Sequence, residues 1–324
     1  MSLEVSSSPH IRDKKNTSGI MLDVIIALIP ALLVSYTIFG YRALVLTLVS
    51  VASCVIFEHL SCLVLKRKSS VGDLSAVVTG ILLAFNVPAS CPYWVVVIGA
   101  GIAIVVVKMF FGGLGQNFVN PALAARIVLM LSFPVEMTIF AVKENFAAVS
   151  EATNNADLVT SATPLALNAK GEMSYSYLEL FMGQHAGTIG EVCAWAILLG
   201  GIYLIARKII EIWIPLVYIG TVFVLTELTN LMGVQNADPV LAVLSGGLLL
   251  GAIFMATDYA TSPITLKGKI IFALGCGIIT VLIRIFGAAA EGVSFAIVVM
   301  NILVPHINRM TETVPVGDMR NVKK

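Results

Sequence analysis

Ala76-Val-Val-Thr-Gly-Ile-Leu-Leu83 has a near twin in Ala242-Val-Leu-Ser-Gly-Gly-Leu-Leu249, at an offset of 166 residues. Two matching eight-residue apolar strings mean little alone. What surrounds them gives the match weight. Apolar runs occupy residues 20–39, 43–65, 74–87, 93–111 and 121–140. After one long polar interval, five more occupy 190–206, 212–231, 240–257, 270–287 and 293–305. The chain of 324 residues is 58% hydrophobic and only 12% charged, with mean hydropathy +0.95. Soluble chains carry about 25% charged residues, so these runs read as the spans of an integral membrane protein. The first run is too long, and lacks a cleavage-type ending, for a removable signal peptide.

A full span needs about 20 residues, and the runs 74–87 and 293–305 fall short of that. Short or broken helices at membrane depth are tolerated where protein or a water-filled cavity covers the loose backbone. Phe111-Gly-Gly-Leu-Gly-Gln-Asn-Phe-Val-Asn-Pro121 and Thr257-Asp-Tyr-Ala-Thr-Ser-Pro263 read as such irregular stretches.

Lysine and arginine set the orientation. With the N-terminus inside, the inner side receives Arg12, Lys14, Lys15, Lys66, Arg67, Lys68, Lys108, Arg207, Lys208, Lys267, Lys269, Arg309, Arg320, Lys323 and Lys324. Arg42, Lys143 and Lys170 fall in outer loops, and Arg126 and Arg284 within helices. The first twin string then runs outward and the second inward, which is the inverted-repeat plan of many transporters. The expected fold is therefore an all-α polytopic membrane protein of about ten transmembrane helices. They form two inverted five-helix repeats with broken or re-entrant segments. The expected divisions are a cytoplasmic segment 1–19, a first repeat 20–140, an external loop 141–189, a second repeat 190–305 and a cytoplasmic tail 306–324.

Ionisable groups inside spans are costly and are functional candidates by default. Glu58, beside His59, and Glu227 lie 169 residues apart, close to the repeat offset. One reading makes them a proton or cation path; the other makes each a tie between helices through Ser or Thr neighbours. Asp23 and Asp73 stand at helix starts, where a carboxylate complements the dipole. Arg126 and Arg284 each need a buried anionic partner or a phosphate. His59 reads as structural, and His10, His185 and His306 are too scattered for a metal site. Cys54, Cys62, Cys91, Cys193 and Cys276 contain no C-x-x-C pair and read as small apolar packing residues.

The polar interval contains Asp157-Leu-Val-Thr-Ser-Ala-Thr-Pro-Leu-Ala166. Two hydroxyls, Thr160 and Thr163, are separated by the small residues Ser161 and Ala162. Pro164 holds Thr163 out of a helix. From the residues alone, two readings stand: an ordinary solvated Ser/Thr loop, or a threonine presented for modification.

Four stretches together resemble a known family: Gly72-Asp-Leu-Ser-Ala-Val-Val-Thr-Gly80, Lys108-Met-Phe-Phe-Gly-Gly-Leu-Gly-Gln-Asn-Phe-Val-Asn-Pro-Ala122, Thr160-Ser-Ala-Thr-Pro-Leu165 and Met255-Ala-Thr-Asp-Tyr-Ala-Thr-Ser-Pro263. Glu291-Gly-Val-Ser-Phe-Ala-Ile-Val-Val-Met-Asn301 fits as well. The chain resembles the RnfD subunits of Rnf electron-transport complexes and, more distantly, the NqrB subunits of sodium-pumping NADH:quinone reductases. The resemblance implies FMN joined by a phosphoester to Thr163, with Asp157, Thr160, Ser161 and Ala162 forming the motif read by an exported flavin transferase. Ser161 stands where relatives often have glycine. It further implies a cell (inner) membrane complex that passes electrons between ferredoxin and NAD while moving Na⁺ or H⁺, with other membrane and peripheral subunits as partners. Some relatives also hold a non-covalent riboflavin. No G-x-G-x-x-G follows a strand and opens a helix, so the NAD site is expected on a partner; no nucleic-acid partner is expected. The competing reading is a channel or carrier for a small solute, since the family resembles urea-transporter architecture. Covalent flavin separates the two.

Overall fold

The computed structural model describes residues 16–67, 69–140, 164–169, 176–183, 185–287 and 291–312. Regular structure among them is helical, in the order α1 (Thr17–Phe39), α2 (Tyr41–Val64), α3 (Ser75–Phe85), α4 (Tyr93–Gly101), α5 (Pro121–Ser132) and α6 (Pro134–Thr138). After the polar interval come α7 (Pro164–Ala169), α8 (Tyr177–Met182), α9 (Ala194–Ala206) and α10 (Trp213–Leu231). The chain ends through α11 (Pro239–Leu244), α12 (Leu248–Leu250), α13 (Leu266–Phe286) and α14 (Val293–Thr311). Two helices continue in wider π turns, α4 over Ile102–Met109 and α12 over Gly251–Met255. π turns are rare and concentrate at functional sites.

Five helices, α1, α2, α10, α13 and α14, are long and apolar enough to cross a membrane. Shorter apolar helices cover Ser75–Phe85, Tyr93–Met109, Pro121–Ser132 and Ala194–Ala206. The run expected to stop at 305 continues: α14 passes through Pro305 to Thr311. The two stretches expected to be irregular are irregular. Gly112, Gly113 and Gly115 all have positive φ, and Asn120 then caps α5 by accepting the amides of Ala122 and Leu123. Proline at the first helical position completes that start.

Lipid tails are as apolar as leucine, so helix association here depends on close packing and interhelical hydrogen bonds. α1 packs against α9, and α5 against α14. At the first contact a Cβ on Gly200 would stand 2.2 Å from the Ala27 carbonyl oxygen, so the crossing requires glycine. Tyr203 of α9 and Arg207 just after it reach Asp23 of α1, at 2.9 and 3.1–3.2 Å. Asp23 thus ties two helices together rather than capping one, because it lies well inside α1. Asp73 does serve a helix start: its Oδ1 accepts the Ser75 amide at 2.8 Å.

The end of the polar interval differs from the exposed loop expected. Residues 185–194 are buried throughout. They dock beside the loop after α3, where Pro88 and Thr188 form an antiparallel bridge and Ile189 and Gly190 donate to Val87 and Phe85. Ser35 of α1 donates to the Ile189 carbonyl at 2.5 Å, and Arg42 holds the Ala89 and Ser90 carbonyls at 2.8 and 3.0 Å. All five cysteines are free and buried, as their apolar surroundings predict.

Candidate functional site

α3 has a polar cluster at each end, roughly 16 Å apart at 1.5 Å per residue. At its start, Lys108 Nζ lies 2.8 Å from Glu58 Oε2, and the two side chains are 2% and 0% exposed. Lys108 also donates to Ser75 Oγ at 2.6 Å, and Ser70 donates to Glu58 Oε1. The π turns of α4 carry Lys108. The charge pattern of the sequence groups Lys108 with the inner-side residues; the structure makes it instead a buried partner for Glu58.

Lys108 opens onto a cavity of about 100 Å³, also lined by Asn117, Asn120, Phe254, Asp258 and Tyr259. The two irregular stretches meet here. Asn120 donates to the Met255 carbonyl at 3.4 Å. Asn301 of α14, with its amide oriented to suit both neighbours, accepts from the Asn120 amide and donates to the Thr261 carbonyl. Desolvation pushes the Asp258 carboxyl above the usual carboxylate range, against hydrogen bonds from Ala260 and Thr261 that pull it down.

At the other end of α3, Asn86 accepts Arg126 Nη1 at 2.7 Å. Arg126 is paired with Glu291, which begins the last of the quoted stretches. Glu191 accepts Thr188 at 2.9 Å and lies near Glu291. Arg284 donates Nη1 to the Ala242 carbonyl at 2.6 Å. The break between α11 and α12 passes through this cluster at Gly246, whose φ is +70°. Any side chain there would strike Leu165 and Arg284. The twin strings found in the sequence thus supply α3 to one flank of this cluster and the Gly246 break to the other.

Two short helices within the polar interval are anchored at one residue. Asn168 of α7 and Asp238 exchange hydrogen bonds at 2.8 and 3.2 Å, and Tyr177 of α8 donates to the Asp238 carboxylate. Asp238 also caps α11 through the Val240 and Leu241 amides. Pro164 and Leu165 are buried.

Of the residues singled out in the sequence, the structure brings Glu58 into the Lys108 cluster and Arg126 and Arg284 into the second. Glu227 is exposed on α10 and belongs to neither. His59 is exposed on α2, facing away from the core that Glu58 enters. Asp157, Thr160, Ser161, Ala162 and Thr163 lie outside the described residues. No group of histidine, cysteine and carboxylate able to hold a metal occurs among the described residues. Sequence reasoning misses Glu191 and Asn86. Glu191 carries a signal, a lone carboxylate at the head of an apolar run, but its burial depends on the long-range docking of 185–194.

Relatives match along nearly the whole chain. The D subunit of a Na(+)-translocating ferredoxin:NAD(+) oxidoreductase complex from Acetobacterium woodii is 48% identical over 316 residues, 96% of this chain and 94% of the relative. Its counterpart in a proton-translocating ferredoxin:NAD(+) oxidoreductase complex from Clostridium ljungdahlii is 40% identical over 327 residues, 98% of this chain and 96% of its own. The D subunit of an ion-translocating oxidoreductase complex from Cronobacter sakazakii is 34% identical over 342 residues, 96% of this chain and 98% of its own. The family match itself runs from residue 4 to residue 317, and by it the chain belongs to the NQR2, RnfD, RnfE family.

Proposed function

We propose that this chain is a multi-pass membrane subunit of an ion-translocating ferredoxin:NAD oxidoreductase complex and carries FMN, joined by a phosphoester to Thr163. The three relatives described above are all D subunits of ion-translocating oxidoreductase complexes, and two of them are named for ferredoxin and NAD. The flavin, when bound, supplies the electron-carrying chemistry. The protein supplies its position.

One observation carries the flavin assignment to this chain. The residues that immediately follow Thr163 are not loose loop: Pro164 and Leu165 are buried, and Asn168 is locked to Asp238. Anchored chain directly after Thr163 supports that threonine as a fixed point of attachment. Arg284 Nε and Nη2 and Arg126 Nε are enclosed polar atoms without partners among the described residues. Such donors suit a phosphoester. The amide, ammonium and aromatic lining of the cavity beside Lys108 supports it as a place for the non-covalent riboflavin that the family resemblance implies.

The basic-residue asymmetry supports both termini inside and the Thr163 interval outside. The packing of α1 on α9 and of α5 on α14 supports two halves related by inverted symmetry, since corresponding helices then meet across the axis. Glu58, paired with Lys108, is the better candidate for an ion path, because Glu227 is exposed. Mass analysis of the proteolytic peptide spanning Thr163 tests the proposal: the mass of esterified FMN supports it, and the bare peptide mass from an active assembled complex refutes it.

A further inference from the structure

A cavity of about 560 Å³ lies where the end of α9 meets the starts of α10 and α13. Ile205, Ile214 and Ile264 give it apolar walls, and Lys208, Glu211 and Lys269 give it charge. Lys269 Nζ and Glu211 Oε1 lie 2.7 Å apart and offset each other. Lys208 has no acidic partner among the described residues, so the cavity keeps one positive charge.

The backbone fixes where that charge stands. The Ile209 amide donates to the Leu204 carbonyl and the Lys208 amide to the Ile205 carbonyl, both at 2.9 Å. This pair of bonds closes a helix through a left-handed residue, the place where glycine is commonest. Lysine stands there instead, at φ +55°, a conformation that long side chains seldom take. Lys208 therefore leaves the wall from a set point.

The rim suits a bilayer. Trp213 and Leu216 on α10 and Leu266 on α13 are exposed, and Ile264 is 82% exposed. Ile264 is held in that position, because its amide donates to Asn308 Oδ1 at 3.3 Å and Thr265 donates to Thr311 at 2.7 Å. Tryptophan at the start of a span marks the headgroup level. A cation at that level, beside isoleucines that continue into the spans, complements a lipid with an anionic head. We propose that this cavity binds an anionic phospholipid of the surrounding membrane, its phosphate at Lys208 and an acyl chain along Ile205, Ile214 and Ile264. Basic pockets between spans hold anionic headgroups by the same chemistry. A zwitterionic lipid brings the same chains but no net charge to meet the surplus.

The test uses lipids with brominated chains, which quench a tryptophan they touch, added to the purified complex in detergent micelles. The signal of Trp213 is the difference between the wild type and Trp213→Phe. Brominated phosphatidylglycerol should quench it at about fivefold lower mole fraction than brominated phosphatidylcholine, the preference one basic residue confers near an anionic surface. Lys208→Gln should abolish the preference and Lys208→Arg should keep it. Equal curves for the two lipids in the wild type mean ordinary bilayer contact and overturn the proposal. So does a preference that survives in Lys208→Gln or is lost in Lys208→Arg. Quenching by neither lipid shows a neighbouring protein over the cavity and overturns it too. If Lys208→Gln fails to assemble, the wild type is titrated at about 1 M salt, where screening acts within ~3 Å. At least half of the preference should then vanish, and an undiminished one counts against the proposal.

Discussion

Lys108 Nζ and Glu58 Oε2 lie 2.8 Å apart, with both side chains shut away from the surroundings at the start of α3. The residues come from separate helices, α2 and the π turns after α4. Removing one partner strands the other charge. Lys108→Met should therefore destabilise the protein by about 3–5 kcal/mol, whereas Lys108→Met with Glu58→Gln should recover most of that loss. Thermal unfolding of the single and double variants checks this, and additive losses would contradict it.

Glu227 makes the contrast. It is exposed on α10, so Glu227→Gln should leave the melting temperature and ion transport unchanged, while Glu58→Gln slows transport with flavin reduction kept. Reconstituted vesicles measure both, and transport lost in Glu227→Gln alone would reverse the assignment.

His185 sets a pH dependence. Burial holds its imidazole down at about 4, against roughly 6.5 in an unfolded chain. Between those values the unfolded chain binds a proton that the folded chain refuses, so stability falls as pH drops from about 6.5 and levels off below about 4. The contribution amounts to about 3 kcal/mol across that window. His185→Gln should flatten this part of the melting-temperature profile; an unchanged slope would show that other groups cause it.

The orientation has its own test. A cysteine placed at Asn154 should react with an impermeant thiol reagent in intact cells, since the basic residues put residues 141–189 outside. Labelling only after lysis would contradict external attachment of flavin.

The helices are legible in the sequence because apolar runs of near-span length announce themselves, and every run contains helix. Asn120 and Pro121 announce the start of α5 in the same way, by cap chemistry. The end of α14 is not legible, because Pro305 looks like a stop and lies inside the helix. Glu58 stands out as a carboxylate in a span, but its partner is hidden among charges that the loop pattern assigns to the inner side. Glu191, Asn86 and the Gly246 break form one cluster only through contacts between residues far apart in the chain, for which no local periodicity exists. The same holds for Asp23, whose position near a helix start suggests a cap until its partners on α9 are in view.

Covalent flavin on Thr163 is the central claim, and Thr163→Val removes the attaching oxygen while nearly preserving shape. The most direct measurement is in-gel flavin fluorescence of the denatured chain, wild type beside Thr163→Val, with the mass of the Thr163 peptide as its readout of position. The expected result is a fluorescent wild-type band carrying FMN at Thr163 and a dark Thr163→Val band of the same abundance. A dark wild-type band with an unmodified peptide, from a complex that still transfers electrons, would contradict it and return the solute-channel reading to the front.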